Sequence, residues 1–103
     1  MNEKELDQAI ADRPYQKVTK EGMEKRISKV DYIVLPNSTV TLCNITLENG
    51  FSIRGESACV DKRNFNVEIG ENLAYKQAFN KLWELEGYLL AERKWKEADT
   101  VVN

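Results

Sequence analysis

The chain has 103 residues, of which 15 are basic and 17 acidic, carries a net charge of −2 and contains no histidine. Such a length predicts one domain over residues 1–103, able to bury roughly 60 to 70% of its unfolded surface around one core. The balanced charge excludes an overall field that would gather long nucleic acid or an anionic membrane, and the lack of histidine removes the usual zinc spacings, Cys-His nucleophile pairs and Ser-His-Asp triads.

The N-terminus, MNEKELDQAI, is acidic and amphipathic, unlike a secretory signal, and no apolar run reaches 18 residues. A soluble, cytoplasmic protein is expected. Within residues 3–12, Leu6, Ala9 and Ile10 make a short apolar stripe that predicts a helix ended by Arg13-Pro14. Residues 17–29 set Val18, Met23 and Ile27 among charges with Gly22 between them, the pattern of a linker or weak helix. Residues 1–29 are therefore read as an N-terminal helix and linker.

From Val30 the texture changes, and residues 30–57 predict an antiparallel sheet. VDYIVL is β-branched and aromatic up to Pro36-Asn37, STVTLCNITL follows as a second strand, and FSIRGES as a third. A two-residue turn at Asn49-Gly50 would mix polar and apolar residues on both faces of the last hairpin. A three-residue loop, Glu48-Asn49-Gly50, with Gly50 left-handed, instead pairs Leu47 with Phe51, Ile45 with Ile53 and Cys43 with Gly55. One face is then continuously apolar, and Asn44, Thr46, Ser52, Arg54 and Glu56 occupy the other. Cys43 and Cys59 are expected to be reduced thiols, since cytosol disfavours disulfides and no Cys-x-x-Cys occurs.

Residues 66–97 predict one long helix, with Asn64 or Asn66 as its cap. Ala74, Ala78, Leu82, Leu85 and Leu89 form its core stripe, while Phe79, Trp83, Tyr88 and Leu90 fall outside it and are expected to be exposed in a monomer. About 30 helical residues span roughly 45 Å, more than a compact domain of this size, so a homo-oligomer is expected. Gly87 permits either a close backbone approach or a kink. The fold class is α+β, with a small antiparallel sheet, a long C-terminal helix and a short N-terminal one.

The run from Leu42 to Leu90 contains NGF, G-E-S-A-C-V-D, N-F, E-I-G at a helix start and K-L-W-E-L-E-G-Y-L-L, in that order. It resembles the core of a family of small phage-encoded proteins, most of them without a known function. The best understood proteins with this pattern are anti-defence proteins against Thoeris, a bacterial immune system. They act as sponges that bind a cyclic ADP-ribose signal without degrading it. The resemblance also implies dimers that assemble into hexamers, and binding of further cyclic oligonucleotides by some members.

A sponge needs donors for a pyrophosphate, a wall for adenine and polar groups for ribose hydroxyls, but no nucleophile or general base. Arg54, Arg63 and Arg93 are planar cations suited to phosphate, with Lys94 and Lys96 adding charge. Phe65 or Tyr75 can stack on adenine, and Asn64, Asn66 and Asn80 offer donor and acceptor edges. Each has a plainer role as well. Arg54 fits an exposed strand position, Arg63 a solvated loop, Phe65 a staple on the helix start, Tyr75 and Asn80 a helix surface or dimer contact, and Arg93 an exposed helix end. Catalysis is not expected: Cys59 lacks a base, and Glu84 and Glu86 do not share a helix face. No cofactor or metal is expected. The alternative function is a small phage protein that inhibits a host protein through its exposed aromatic helix.

Overall fold

The computed structural model describes residues 1–13 and 15–102, with side chains up to Ala98. In chain order the elements are helix α1 (Glu3–Ala11), helix α2 (Lys20–Arg26), strands β1 (Ile27–Val34), β2 (Val40–Leu47) and β3 (Ser52–Ala58), a 3₁₀ turn (Lys62–Asn64) and helix α3 (Val67–Val102). The strands form one antiparallel sheet in the order β1-β2-β3, and the fold is α+β as expected.

Asn2 caps α1, its side-chain oxygen accepting from the Glu5 N–H at 2.7 Å, yet no residue of α1 is buried. The helix ends at Ala11, and Pro14, expected to end it, lies outside the described residues. Residues 17–29 are more ordered than a linker. Thr19 accepts from the Gly22 N–H at 3.0 Å to start α2, Met23 is 1% exposed in the core, and β1 already begins at Ile27. A cap and one well-buried side chain outweigh the poor helix propensity of Gly22.

The hairpin has the expected register, with Cys43 opposite Gly55 and Ile45 opposite Ile53. Gly50 takes φ +90°, Gly50 N–H donates to the Leu47 carbonyl at 2.9 Å, and Leu47 N–H donates to Phe51 at 2.8 Å. Thr41, Cys43, Ile45, Leu47, Ile53 and Gly55 consequently form a buried face, on which α3 lies. Both cysteines are free thiols.

Helix and sheet meet almost backbone to backbone at Gly55. A Cβ there would fall well inside contact distance of the Ala74 carbonyl oxygen and the Ala78 nitrogen. Ala74, Ala78 and Leu82 are fully buried as predicted, but Leu85 and Leu89 are 37% and 42% exposed, and Phe79 and Leu90 are buried instead. The exposed positions expected for Phe79 and Leu90 are thus corrected. The buried line follows the i, i+4 ridge through residues 74, 78, 82, 86 and 90, which is inclined to the helix axis, so the contact surface turns as α3 passes from the sheet to Met23.

α3 has 36 residues, about 54 Å of helix. The molecule measures 62 × 36 × 18 Å with a Cα radius of gyration of 17.7 Å, against about 13 Å for a compact chain of similar length. Its C-terminal part overhangs the sheet, as expected. Among the described residues no helix is long and apolar enough to cross a membrane.

Two glycines should respond oppositely to alanine. Gly55→Ala forces helix and sheet apart, and we expect it to lower Tm by roughly 5–20 °C, following a cost of about 1–3 kcal/mol. Gly87 has nothing within 4 Å of an added Cβ, so Gly87→Ala should raise Tm by several degrees through helix propensity worth about 1 kcal/mol. Differential scanning calorimetry checks both; a Gly87→Ala protein that loses stability together with mass would show that a second backbone packs there.

Candidate functional site

Among the described residues no helix packs on the face of the sheet away from α3. Register places Asp31, Asn44 and Arg54 in one row across the three strands, and Ile33, Leu42 and Glu56 in the next. Arg54 Nη1 donates to Asn44 Oδ1 at 3.3 Å and to Ser52 Oγ at 3.1 Å, while Asn44 Nδ2 donates to Thr46 Oγ1 at 3.5 Å. The guanidinium is held by neutral acceptors with no carboxylate in ion-pair contact among the described residues. A hollow of about 510 Å³ is lined here by Asp31, Tyr32, Ile33, Leu42, Asn44 and Arg54. That size lies within the roughly 300–1,000 Å³ typical of ligand sites.

A second, smaller cleft of about 160 Å³ lies at the start of α3, where Asn64, Phe65, Asn66, Ile69, Ser57 and Cys59 are among its lining. Asn66 is the helix cap, accepting from Ile69 N–H at 3.1 Å. Asp61 accepts from the Arg63 backbone N–H at 2.9 Å and from its guanidinium at 3.0 and 2.7 Å. These bonds hold the Asp61 carboxyl below the usual range and raise Arg63. The small residues between β3 and α3 serve packing: Ser57 Oγ donates to the Gly70 carbonyl at 2.7 Å, and Cys59 N–H donates to Thr39 Oγ1 at 3.2 Å.

A third cleft, also about 160 Å³, includes Lys17, Thr19, Arg26, Glu86 and Arg93 in its lining. Glu86, 8% exposed, pairs with Arg26 Nε, and Arg26 Nη1 also reaches Glu48 at 3.1 Å. Tyr75 stacks on Phe79 with centroids 5.7 Å apart, and its hydroxyl is pushed upward by burial and then by the charge of Glu24. Its ring is thus a packing partner at the margin of the core.

The predicted binding residues are therefore dispersed in one protomer. Arg63, Asn64 and Phe65 share the helix start, Arg54 belongs to the open sheet face, Tyr75 packs beside the core, and Asn80 is exposed on α3. Arg93 sits about 40 Å along the helix from Phe65. Sequence reasoning did not select Asp31, Ile33, Leu42 or Asn44 as binding residues, although alternation in β2 and β3 places Asn44 opposite Arg54 and Leu42 opposite Glu56. Among the described residues no group of three His, Cys, Asp or Glu side chains is placed to hold a metal ion.

The Asp61–Arg63 pair gives a pH prediction. A depressed folded pKa makes a stabilising contribution that is present above the ordinary carboxylate pKa and lost as pH falls through the depressed one. In Arg63→Gln the Asp61 titration midpoint, followed by carboxyl NMR shifts, should rise toward about 3.9; an unmoved midpoint would show that Arg63 is not its cause.

Neither the curated proteins nor the solved structures compared with this chain give a match. The family model described as phage protein (N4 Gp49/phage Sf6 gene 66) matches residues 1–94, nearly the whole chain. The protein is therefore a member of the N4 Gp49/Sf6 gene 66 family of phage proteins.

Proposed function

We propose that this phage protein is an anti-defence sponge that sequesters a cyclic nucleotide immune signal, a cyclic ADP-ribose isomer of the Thoeris type or a cyclic oligonucleotide, without cleaving it. The observation that carries the reading is the hollow on the open sheet face, where Arg54 is oriented by neutral groups and keeps donors for a phosphate. Ile33 and Leu42 provide an apolar wall for a base, while Asn44 and Asp31 can meet ribose hydroxyls. The resemblance of Leu42–Leu90 to the Thoeris anti-defence proteins supplies the ligand class. Capture of this kind is reversible binding and requires no nucleophile.

The working form in this reading is a homo-oligomer built from dimers, up to a hexamer. Tyr88 and Trp95 are 69% and 66% exposed on the overhanging part of α3, more aromatic surface than an isolated chain of this size needs to show. Antiparallel pairing of two such helices would bring Arg93 of one copy beside Asn64 and Phe65 of the other, joining residues that lie apart in one protomer.

Thermal shift against cyclic ADP-ribose isomers and cyclic di- and trinucleotides tests the function. A ligand at 100 times its Kd should stabilise by about 2.7 kcal/mol, or roughly 10–20 °C. Arg54→Ala should weaken binding at least ~10-fold, the scale of one charge-assisted hydrogen bond, with its circular dichroism unchanged. Ligand released by heating should be chemically unaltered; a converted product would mean an enzyme. No shift with any cyclic nucleotide would overturn the sponge and favour inhibition of a host protein through the aromatic helix.

A further inference from the structure

The two edges of the sheet are treated differently. On β3 two of the outward backbone groups are met by α3: Glu56 N–H donates to Gln77 Oε1 at 2.7 Å, and Lys81 Nζ donates to the Arg54 carbonyl at 2.7 Å. On β1 none of the described hydrogen bonds covers the outer edge of residues 30–34. Leu35 N–H donates to Val40, so by antiparallel alternation Ile33, Asp31 and Lys29 point their backbone groups at β2, and Val34, Tyr32 and Val30 point theirs outward. An eight-residue strand with an open edge is a template for another strand unless something blunts it. The blunting charges here are Lys29 and Asp31, of opposite sign and two residues apart.

We infer that the outer edge of β1 pairs with β1 of a second copy, antiparallel about a two-fold axis at Val30. This register makes Val30 opposite its own copy a hydrogen-bonded pair, using the backbone groups that face outward. Lys29 then lies opposite the partner's Asp31, and Asp31 opposite the partner's Lys29, in the non-hydrogen-bonded pairs where side chains come closest. The alternative centred on Asp31 would oppose two carboxylates. A two-fold contact must be self-complementary, and the +/− order of these two residues meets that requirement. The pairing also lays the partner strand beside Tyr32, which α3 leaves 38% exposed on the core side.

The pairing stands without any ligand. Its consequence for the hollow rests on the proposed nucleotide site. The row Arg54, Asn44, Asp31 continues into the partner's Lys29, which places a second cation three strand spacings, about 14 Å, from Arg54. Long side chains from both ends can then converge on one doubly charged ligand, and the hollow is incomplete in a monomer.

Charge exchange tests the register on exposed side chains. Lys29→Asp and Asp31→Lys alone should each lower the sedimenting mass below that of the wild type, whereas an equimolar mixture of the two, or the Lys29→Asp/Asp31→Lys double variant, should restore it. Amide exchange should show Val30 and Tyr32 N–H protected in the wild type and unprotected in either single variant. Unchanged mass in the single variants, failure of the mixture to reassociate, or a wild type whose edge amides exchange freely overturns the pairing. Inorganic pyrophosphate and cyclic ADP-ribose titrated into the wild type, whose site is unaltered, separate the two ideas: protection of the edge amides without binding of either compound sinks the ligand reading and leaves the pairing intact.

Discussion

The structure depends on one close contact, the backbone of α3 lying directly against β3 at Gly55 with only Ala74 and Ala78 facing it. No side chain separates the two elements there, so the helix cannot shift toward β1 without losing the approach. A second close contact, in which the α3 glycine Gly70 leaves room for the Thr41 side chain and a Cβ would come within 2.7 Å of Thr41 Oγ1, fixes the other end of the crossing. α3 is thereby held over β2 and β3, close enough for Gln77 and Lys81 to reach round the β3 edge, and too far across to cover β1. The capped edge, the open edge and the half-bare Tyr32 are three results of one placement.

The same placement explains the elongated shape. The buried residues Met23, Ile45, Leu47, Ile53, Phe79 and Leu82 form a modest core, each contributing about 1.5–3 kcal/mol by burial. Beyond Leu90 the helix has no described strand beneath it, and Lys94 Nζ bonding to the Gln16 carbonyl at 3.0 Å ties it to the N-terminal segment. α1 adds nothing to the core. A chain that orders this much helix without burying it in one copy gains most if a second copy covers it, since the ordering entropy is already lost.

How much of this could be read from the sequence follows from the range of each signal. The hairpin register was legible because alternation and Gly50 are local, and a slip by one residue would invert both faces. The long helix was legible from its periodicity. The buried side of its second half was not, because Leu90 rather than Leu89 turns inward only when the crossing angle is known. α2 was legible only as the weak-helix alternative for residues 17–29 because of Gly22, and tertiary burial of Met23 overrode that local penalty. At the candidate site the residue types were visible but their grouping was not: Arg54 needs the β1-β2-β3 register to gain Asp31 and Ile33 as neighbours, while Tyr75 and Asn80 share a helix with Arg93 without sharing a surface.

The arginines also differ in a way that composition conceals. Arg63 is already neutralised by two guanidinium hydrogen bonds to Asp61, and Arg26 by Glu86 and Glu48. An anion approaching either would have to displace a carboxylate. Arg54 is held by an amide and a hydroxyl, which orient the guanidinium and leave its charge uncompensated. With a net charge of only −2, long-range steering contributes little, and anion selection falls to such local groups. An uncompensated cation on an uncovered sheet face, beside an edge whose charges complement themselves, places the ligand question and the assembly question on the same surface.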